Sequence, residues 1–190
     1  INALKELTIT LLDKRAKRNA LEIESSEPIL KINNIGEVEA INLSRRMFAH
    51  QMIEEAMIAA NICAIMFVKS SLEISINRFH DKPDADKLLA LFEKFQSFGL
   101  KRSDDPIILL QRCIEIAKRS ENATSLQSLI LQGLPRAIYS SKKSGHFGLQ
   151  LEEYSHFTSP IRRYPDLIIH RLIKSILKKE KVHFDEEAFE

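Results

Sequence analysis

Only two cysteines occur in 190 residues, the net charge is just +2, and no apolar run is long enough to cross a bilayer. Each of these shortages excludes something. Cys63 falls in an apolar segment and Cys113 in an amphipathic one, so neither a disulfide framework nor a thiolate metal site is expected. Two reduced, buried thiols are the expectation, and with them a cytoplasmic location. Residues 56–68 form the longest apolar stretch, but Asn61 interrupts it and it is too short for a membrane span. No signal-peptide pattern is visible, and no membrane partner is expected. His146, His156 and His170 lie ten or more residues apart with no cysteine among them. That spacing lacks the close ligand pairs of structural zinc sites, and zinc is rejected. There is no internal repeat, low-complexity tract or interdomain linker, so one domain, or a large piece of one, is expected over residues 1–190.

What is present is a helix-rich pattern with short strands, an α+β reading, and the 44% hydrophobic content suffices for a substantial core. Leu4, Leu7, Leu11 and Leu12 recur at helical spacing and predict an amphipathic helix ending near Arg18. Residues 27–32 and 38–41 flank Asn33-Asn34-Ile35-Gly36 and read as a hairpin. A long helix is predicted over 45–69, solvated at first and buried after Ala56. Alternation predicts a strand over 72–79. Three helices follow over 84–98, 106–119 and 124–131, and then strands over 137–140 and 147–151. Asp84, Asp86, Asp104 and Asp105 open predicted helices, where capping or solvated roles suit them better than metal binding. Basic clusters at Lys14-Arg15-Lys17-Arg18, Arg45-Arg46, Lys142-Lys143, Arg162-Arg163 and Lys178-Lys179-Lys181 could follow a polyanion, although solvated helix faces explain most of them equally well.

Chemistry concentrates in two stretches: Gly145-His146-Phe147-Gly148-Leu149, and 153–166 with its core Thr158-Ser159-Pro160-Ile161-Arg162-Arg163-Tyr164-Pro165-Asp166. Ser159 can cap a helical turn whose first position suits Pro160. Free backbone N–H groups would then face outward beside two guanidinium groups, an arrangement suited to a phosphate. Pro165 is expected to interrupt or kink this turn before an apolar helix. Successive helical residues diverge by about 100°, so Arg162 and Arg163 are not expected to reach one phosphate together. A second phosphate or a structural ion pair are the alternatives for Arg163. Asp166 and His170, four apart, are expected to pair locally beneath Arg162. Tyr154, Phe157 and Tyr164 could stack on bases, with core packing the equal alternative for Phe157.

This string, together with His170-Arg171, closely resembles the ribonuclease II and ribonuclease R family of exoribonucleases. Ile53-Glu54-Glu55-Ala56-Met57-Ile58-Ala59-Ala60-Asn61 resembles the family's glutamate-bearing helix, and Arg18-Asn19-Ala20-Leu21-Glu22 and Asn77-Arg78-Phe79-His80 extend the likeness more weakly over nearly the whole chain. The resemblance implies an RNB-type catalytic fold, single-stranded RNA as substrate, and processive 3′-to-5′ hydrolysis to nucleoside monophosphates. It places Arg162 as the catalytic arginine at the scissile phosphate, where its fork would hold two oxygens. A surface ion pair is the plain alternative. Glu54 falls on the position that orients terminal nucleotides, so bonds to sugar hydroxyls are implied; without the resemblance it would read as an exposed acid. Ser159, Arg163 and Tyr164 join it as expected RNA contacts. Asn61 could continue a polar stripe from Glu54, but a buried amide bonded to backbone is the better reading.

The chain departs from the family at two points. The family's magnesium is held by an aspartate cluster upstream of the glutamate helix, and no such cluster is present. The expectation is a partial catalytic domain, inactive in isolation, whose Mg2+ ligands and flanking oligonucleotide-binding domains lie elsewhere in a longer enzyme. Ile23 also stands where many relatives carry an aromatic residue that stacks on RNA. The alternatives to an enzyme are a noncatalytic RNA-binding or scaffold module of the same fold, and a helical protein-interaction domain with incidental basic patches.

Overall fold

The structure, a computed structural model, describes residues 1–23, 28–43 and 46–181. Six helices and four short strands alternate in the order α1 (Asn2–Lys17), β1 (Pro28–Ile32), β2 (Val38–Leu43), α2 (Phe48–Ser71), β3 (Asn77–Phe79), α3 (Ala85–Gln96), α4 (Pro106–Arg119), α5 (Ala123–Gly133), β4 (Ile138–Ser140) and α6 (Tyr164–Lys178). This is the expected helix-rich α+β class. The strands form two separate antiparallel pairs, β1 with β2 and β3 with β4. By contacts the chain divides into two compact units: residues 1–21, 52–83 and 134–190 in one, residues 22–51 and 84–133 in the other.

In the second unit the predicted hairpin forms. Asn33 Oδ1 accepts from the N–H groups of Ile35 and Glu37, and Gly36 takes a φ of +84° that other residues rarely adopt. Helices α3, α4 and α5 bury Leu91, Phe95, Leu110, Cys113, Ala117 and Ile130 against one another. Asp105 caps α4 by accepting from Ile107 N at 2.8 Å, with Pro106 in the first turn. The capping role expected for the Asp104-Asp105 pair is therefore met by Asp105. The expectations for Glu27 and Arg45 fall outside the described residues.

The first unit is organised around α2 and α6. Ala64, Ile65 and Val68 on α2 pack with Ile76 and with Ile168, Ile169 and Leu172 on α6, the i, i+3, i+4 stripe of a helix with one buried face. Its other face corrects the expectation of a wholly buried second half: Met66, Phe67 and Cys63 are exposed. By length and composition α2 is apolar enough to cross a bilayer, and it is longer than the apolar run that seemed too short. Yet the polar residues Glu55 and Asn61 are among those it buries, each bonded to other protein groups. Of the four leucines of helix α1, Leu4 and Leu7 are exposed and Leu11 and Leu12 half-buried, and polar anchors add to its docking: Arg15 Nη1 meets buried Glu55 at 2.7 Å and Arg18 Nε donates to Leu149 O at 2.9 Å.

Two strand expectations are shortened or replaced. Only Asn77–Phe79 of the 72–79 stretch pairs as a strand. Residues 147–149 form a single tight helical turn closed by Gln150 at φ +51°, because His146 Nδ1 accepts from Leu149 N and holds the turn shut.

The two thiols should differ in reactivity. Cys113 is fully buried, and burial pushes its thiol up to about 12, whereas Cys63 is exposed. A thiol reagent should titrate one cysteine in the folded chain and the second only after denaturation; two fast equivalents would contradict the packing of α4.

Candidate nucleic-acid interface

A loop of irregular backbone, residues 152–163, joins the tight turn to α6, and buried side chains hold several of its backbone groups. Asn61 Oδ1, from α2, accepts from Phe157 N at 2.8 Å and Thr158 N at 3.3 Å, while its Nδ2 donates to the Tyr154 hydroxyl at 3.0 Å. Asn61 is thus buried and bonded to backbone, as expected, and it also ties α2 to the motif loop. His170 Nε2, from α6, donates to Phe157 O at 2.9 Å, and its ring stacks on Phe157 at 4.1 Å. Ser155 Oγ donates to Ile76 O. Asp166 is fully buried, and its Oδ1 accepts from Ser159 N at 2.8 Å and from Arg163 Nη2 at 2.8 Å.

These bonds decide the state of each proposed contact residue. Ser159, Arg162, Arg163 and Tyr164 share one turn, closed where the N–H groups of Arg162 and Arg163 donate to Ser159 O. The N–H of Ser159 is committed to Asp166, so the outward row of free N–H groups expected at a Ser159 cap is incomplete from its start. Arg163, its side chain 18% exposed, forms the ion pair with Asp166. Asp166 and His170 do not bond each other, contrary to expectation: both reach back to the loop, His170 to Phe157 O and Asp166 to Ser159 N and the Arg163 side chain. As expected, the turn does not run on into the apolar helix. Helix α6 begins at Tyr164, and Pro165 sits in its first turn, where a missing N–H costs nothing. Arg162 is exposed, and Tyr164 is 60% exposed. Glu54 is half-buried on α2, seven residues before Asn61 and so about 10 Å away along the helix axis. Its neighbour Glu55 is the acid drawn into the core by Arg15.

Behind the loop lies a histidine–tyrosine cluster that the sequence reading did not anticipate. His80 Nδ1 accepts from Gly148 N at 3.1 Å and its Nε2 donates to Pro135 O at 3.0 Å, which fixes a neutral ring. Gly148 allows this close approach: a Cβ there would lie 3.1 Å from His80 Nδ1, tight enough that the imidazole would have to shift. His146 packs between His80, at 4.8 Å, and Tyr154, at 5.3 Å. The Tyr139 hydroxyl lies 2.7 Å from His156 Nδ1, and burial raises its own ionisation, so it donates to a neutral imidazole. Burial, aided by the charges of His80 and Arg78, pushes His146 down to about 3. Burial, then Arg163, holds His156 at about 4. His146, Tyr154 and His156 lie in the two chemistry-bearing stretches and His80 in the quoted Asn77-Arg78-Phe79-His80 stretch, but pattern alone could not bring His80 and Tyr139 beside them.

Three comparisons bear on this geometry. A profile of the RNB domain matches residues 1–179. The chain belongs to that family. The ribonuclease R of Escherichia coli K12 is 39% identical over 178 residues, which are 91% of this chain and 22% of that protein. The RNB chain therefore spans about a fifth of that relative's length. The apo form of Mycoplasma genitalium ribonuclease R shares the fold with a TM-score of 0.85 at 25% identity, over 95% of this chain and 29% of that one. The Mycoplasma protein has also been solved with ribose-methylated single-stranded RNA and with double-stranded RNA. Yeast Ssd1, described as a pseudonuclease, is alike in fold alone, with a TM-score of 0.70 at 21% identity over 98% of this chain and 24% of its own.

The depressed histidines set the sign of the acid response. Between about pH 4 and 6.5 the unfolded chain binds protons that folded His146 and His156 refuse, so stability falls as pH drops through 6.5. From pH 7 to 5 His146 should cost on the order of 1–2 kcal/mol. Thermal unfolding followed against pH should show this loss, and His146→Gln should flatten it; a flat wild-type profile would contradict the buried neutral ring.

Proposed function

We propose that this chain is part of a ribonuclease R-like enzyme that degrades single-stranded RNA processively from its 3′ end to nucleoside monophosphates, and that it supplies the grip on the RNA backbone. One observation carries the reading. In a turn where Asp166 takes Ser159 N and the Arg163 Nη2, Arg162 is exposed and its guanidinium has no partner among the described residues. A planar fork held in this way by a rigid support suits the two oxygens of a phosphate. Tyr164, exposed beside it, can stack on a base, and Glu54 can accept from a sugar hydroxyl. Family membership and the ribonuclease R relatives support RNA as the substrate class.

Magnesium belongs to the family's reaction. Among the described residues no three acidic, histidine or cysteine side chains converge to hold an ion, so no step through a metal is assigned to this chain. In this reading the ligands, like the flanking oligonucleotide-binding domains, come from elsewhere in a longer cytoplasmic protein. The catalytic contribution assigned here is charge stabilisation: as an oxygen attacks and negative charge builds on the phosphate, Arg162 binds that charge more strongly than it binds the ground state. The noncatalytic alternative has the likeness to Ssd1 in its favour.

The test uses the full-length protein carrying this segment, magnesium and an end-labelled RNA. Mononucleotides should appear from the 3′ end. Arg162→Ala should lower turnover by a factor on the order of 10² to 10³, with a smaller loss in binding, and Arg162→Lys should recover part of it. Binding without cleavage by the wild-type protein would favour the scaffold. An unaltered turnover in Arg162→Ala would remove the assigned role.

A further inference from the structure

Among the described residues, half-buried arginines follow a rule with one exception. Arg15 pairs with Glu55, Arg18 with Leu149 O, Arg46 with Glu22, Arg112 with the carbonyls of Lys101 and Arg102, and Arg163 with Asp166. Arg78 is also half-buried, yet among the described residues its guanidinium meets no oxygen. Its neighbour is a ring: Arg78 Cζ lies 4.7 Å from the centroid of Tyr139, directly across the β3–β4 pair. Stacking occupies the face of a guanidinium and leaves its N–H donors, which lie in the plane, unspent.

The position of Arg78 relates it to the motif loop. Its backbone N–H donates to Tyr154 O at 2.8 Å, and the Tyr139 ring beneath it bonds His156, the residue just before Phe157. The charges of Arg163, Arg78 and Arg162 all act on Tyr139 and His156, so the tyrosine–histidine pair lies in the positive field of all three. The one carboxylate acting on that pair is Asp166, buried and committed to Arg163. Two arginines without acidic partners thus flank a neutral, rigid platform.

We propose that Arg78 is a second backbone-phosphate ligand, held over the Tyr139 ring so that its donors grip a phosphate of the same strand that Arg162 contacts. This rests on RNA being the ligand of the Arg162 turn. It adds a contact more than eighty residues away in sequence and on a different element.

The counterion response separates a phosphate ligand from a structural cation. Binding of a single-stranded oligoribonucleotide to the full-length protein, with chelator present to prevent cleavage, is measured by anisotropy across a series of potassium chloride concentrations. Arg78→Met keeps an unbranched stem on Tyr139 and removes the charge. It should weaken binding severalfold and reduce the slope of log affinity against log salt by about 0.7, the value for one single-strand phosphate contact. Arg78→Lys should keep the wild-type slope and bind more weakly, since charge remains but the fork does not. A wild-type slope in Arg78→Met would overturn the proposal while leaving the RNA reading intact. A wild-type protein with no salt-dependent RNA binding would remove both. If Arg78→Met lost its thermal transition, Arg78→Lys would decide alone: weaker binding at unchanged slope supports the contact, and undiminished affinity contradicts it.

Discussion

The candidate site depends on a buried amide. Asn61 sits on the apolar face of α2, where an unbonded carboxamide would cost about 1–3 kcal/mol for each group left without a partner. Its partners are two backbone N–H groups of the motif loop and one tyrosine hydroxyl. Packing of α2 against α6 therefore cannot be completed without placing residues 154–158, and the loop cannot move without stranding Asn61. Folding of the core and shaping of the site are the same event.

Asp166 and His170 extend this constraint from the other helix. The carboxylate draws in Ser159 N and the Arg163 side chain, and the imidazole takes Phe157 O. Two adjacent arginines consequently acquire different work. Arg163 neutralises a buried charge that would otherwise be costly, while Arg162, one step around the turn, is left exposed. The same economy appears behind the loop, where His80, His146 and His156 serve as neutral hydrogen-bonding rings under positive charge rather than as titrating groups.

Much of this was legible in the sequence wherever the information was local. All six helices and the hairpin follow from periodicity, capping and a glycine turn, and the two motifs carried the family. Three things were not legible. Whether Arg162 or Arg163 would be free depended on where Asp166 points, and i, i+4 spacing suggested His170 as its partner. The exposed face of α2 with Cys63, and the anchoring of α1 through Arg15 while Leu4 and Leu7 stay exposed, reflect tertiary choices among several apolar or polar faces that hydropathy weighs alike. The platform of Arg78, Tyr139 and His156 unites three separate segments, and a pattern read along one chain has no means of pairing them.

The central claim is that Asp166 acts on RNA only through the turn that presents Arg162. A double-mutant cycle on turnover in the full-length protein tests it most directly. Asp166→Asn should reduce turnover by a factor on the order of 10 when Arg162 is present and change it less than about twofold in the Arg162→Ala background. Equal losses in both backgrounds would show that the carboxylate supports the fold generally and does not position the arginine.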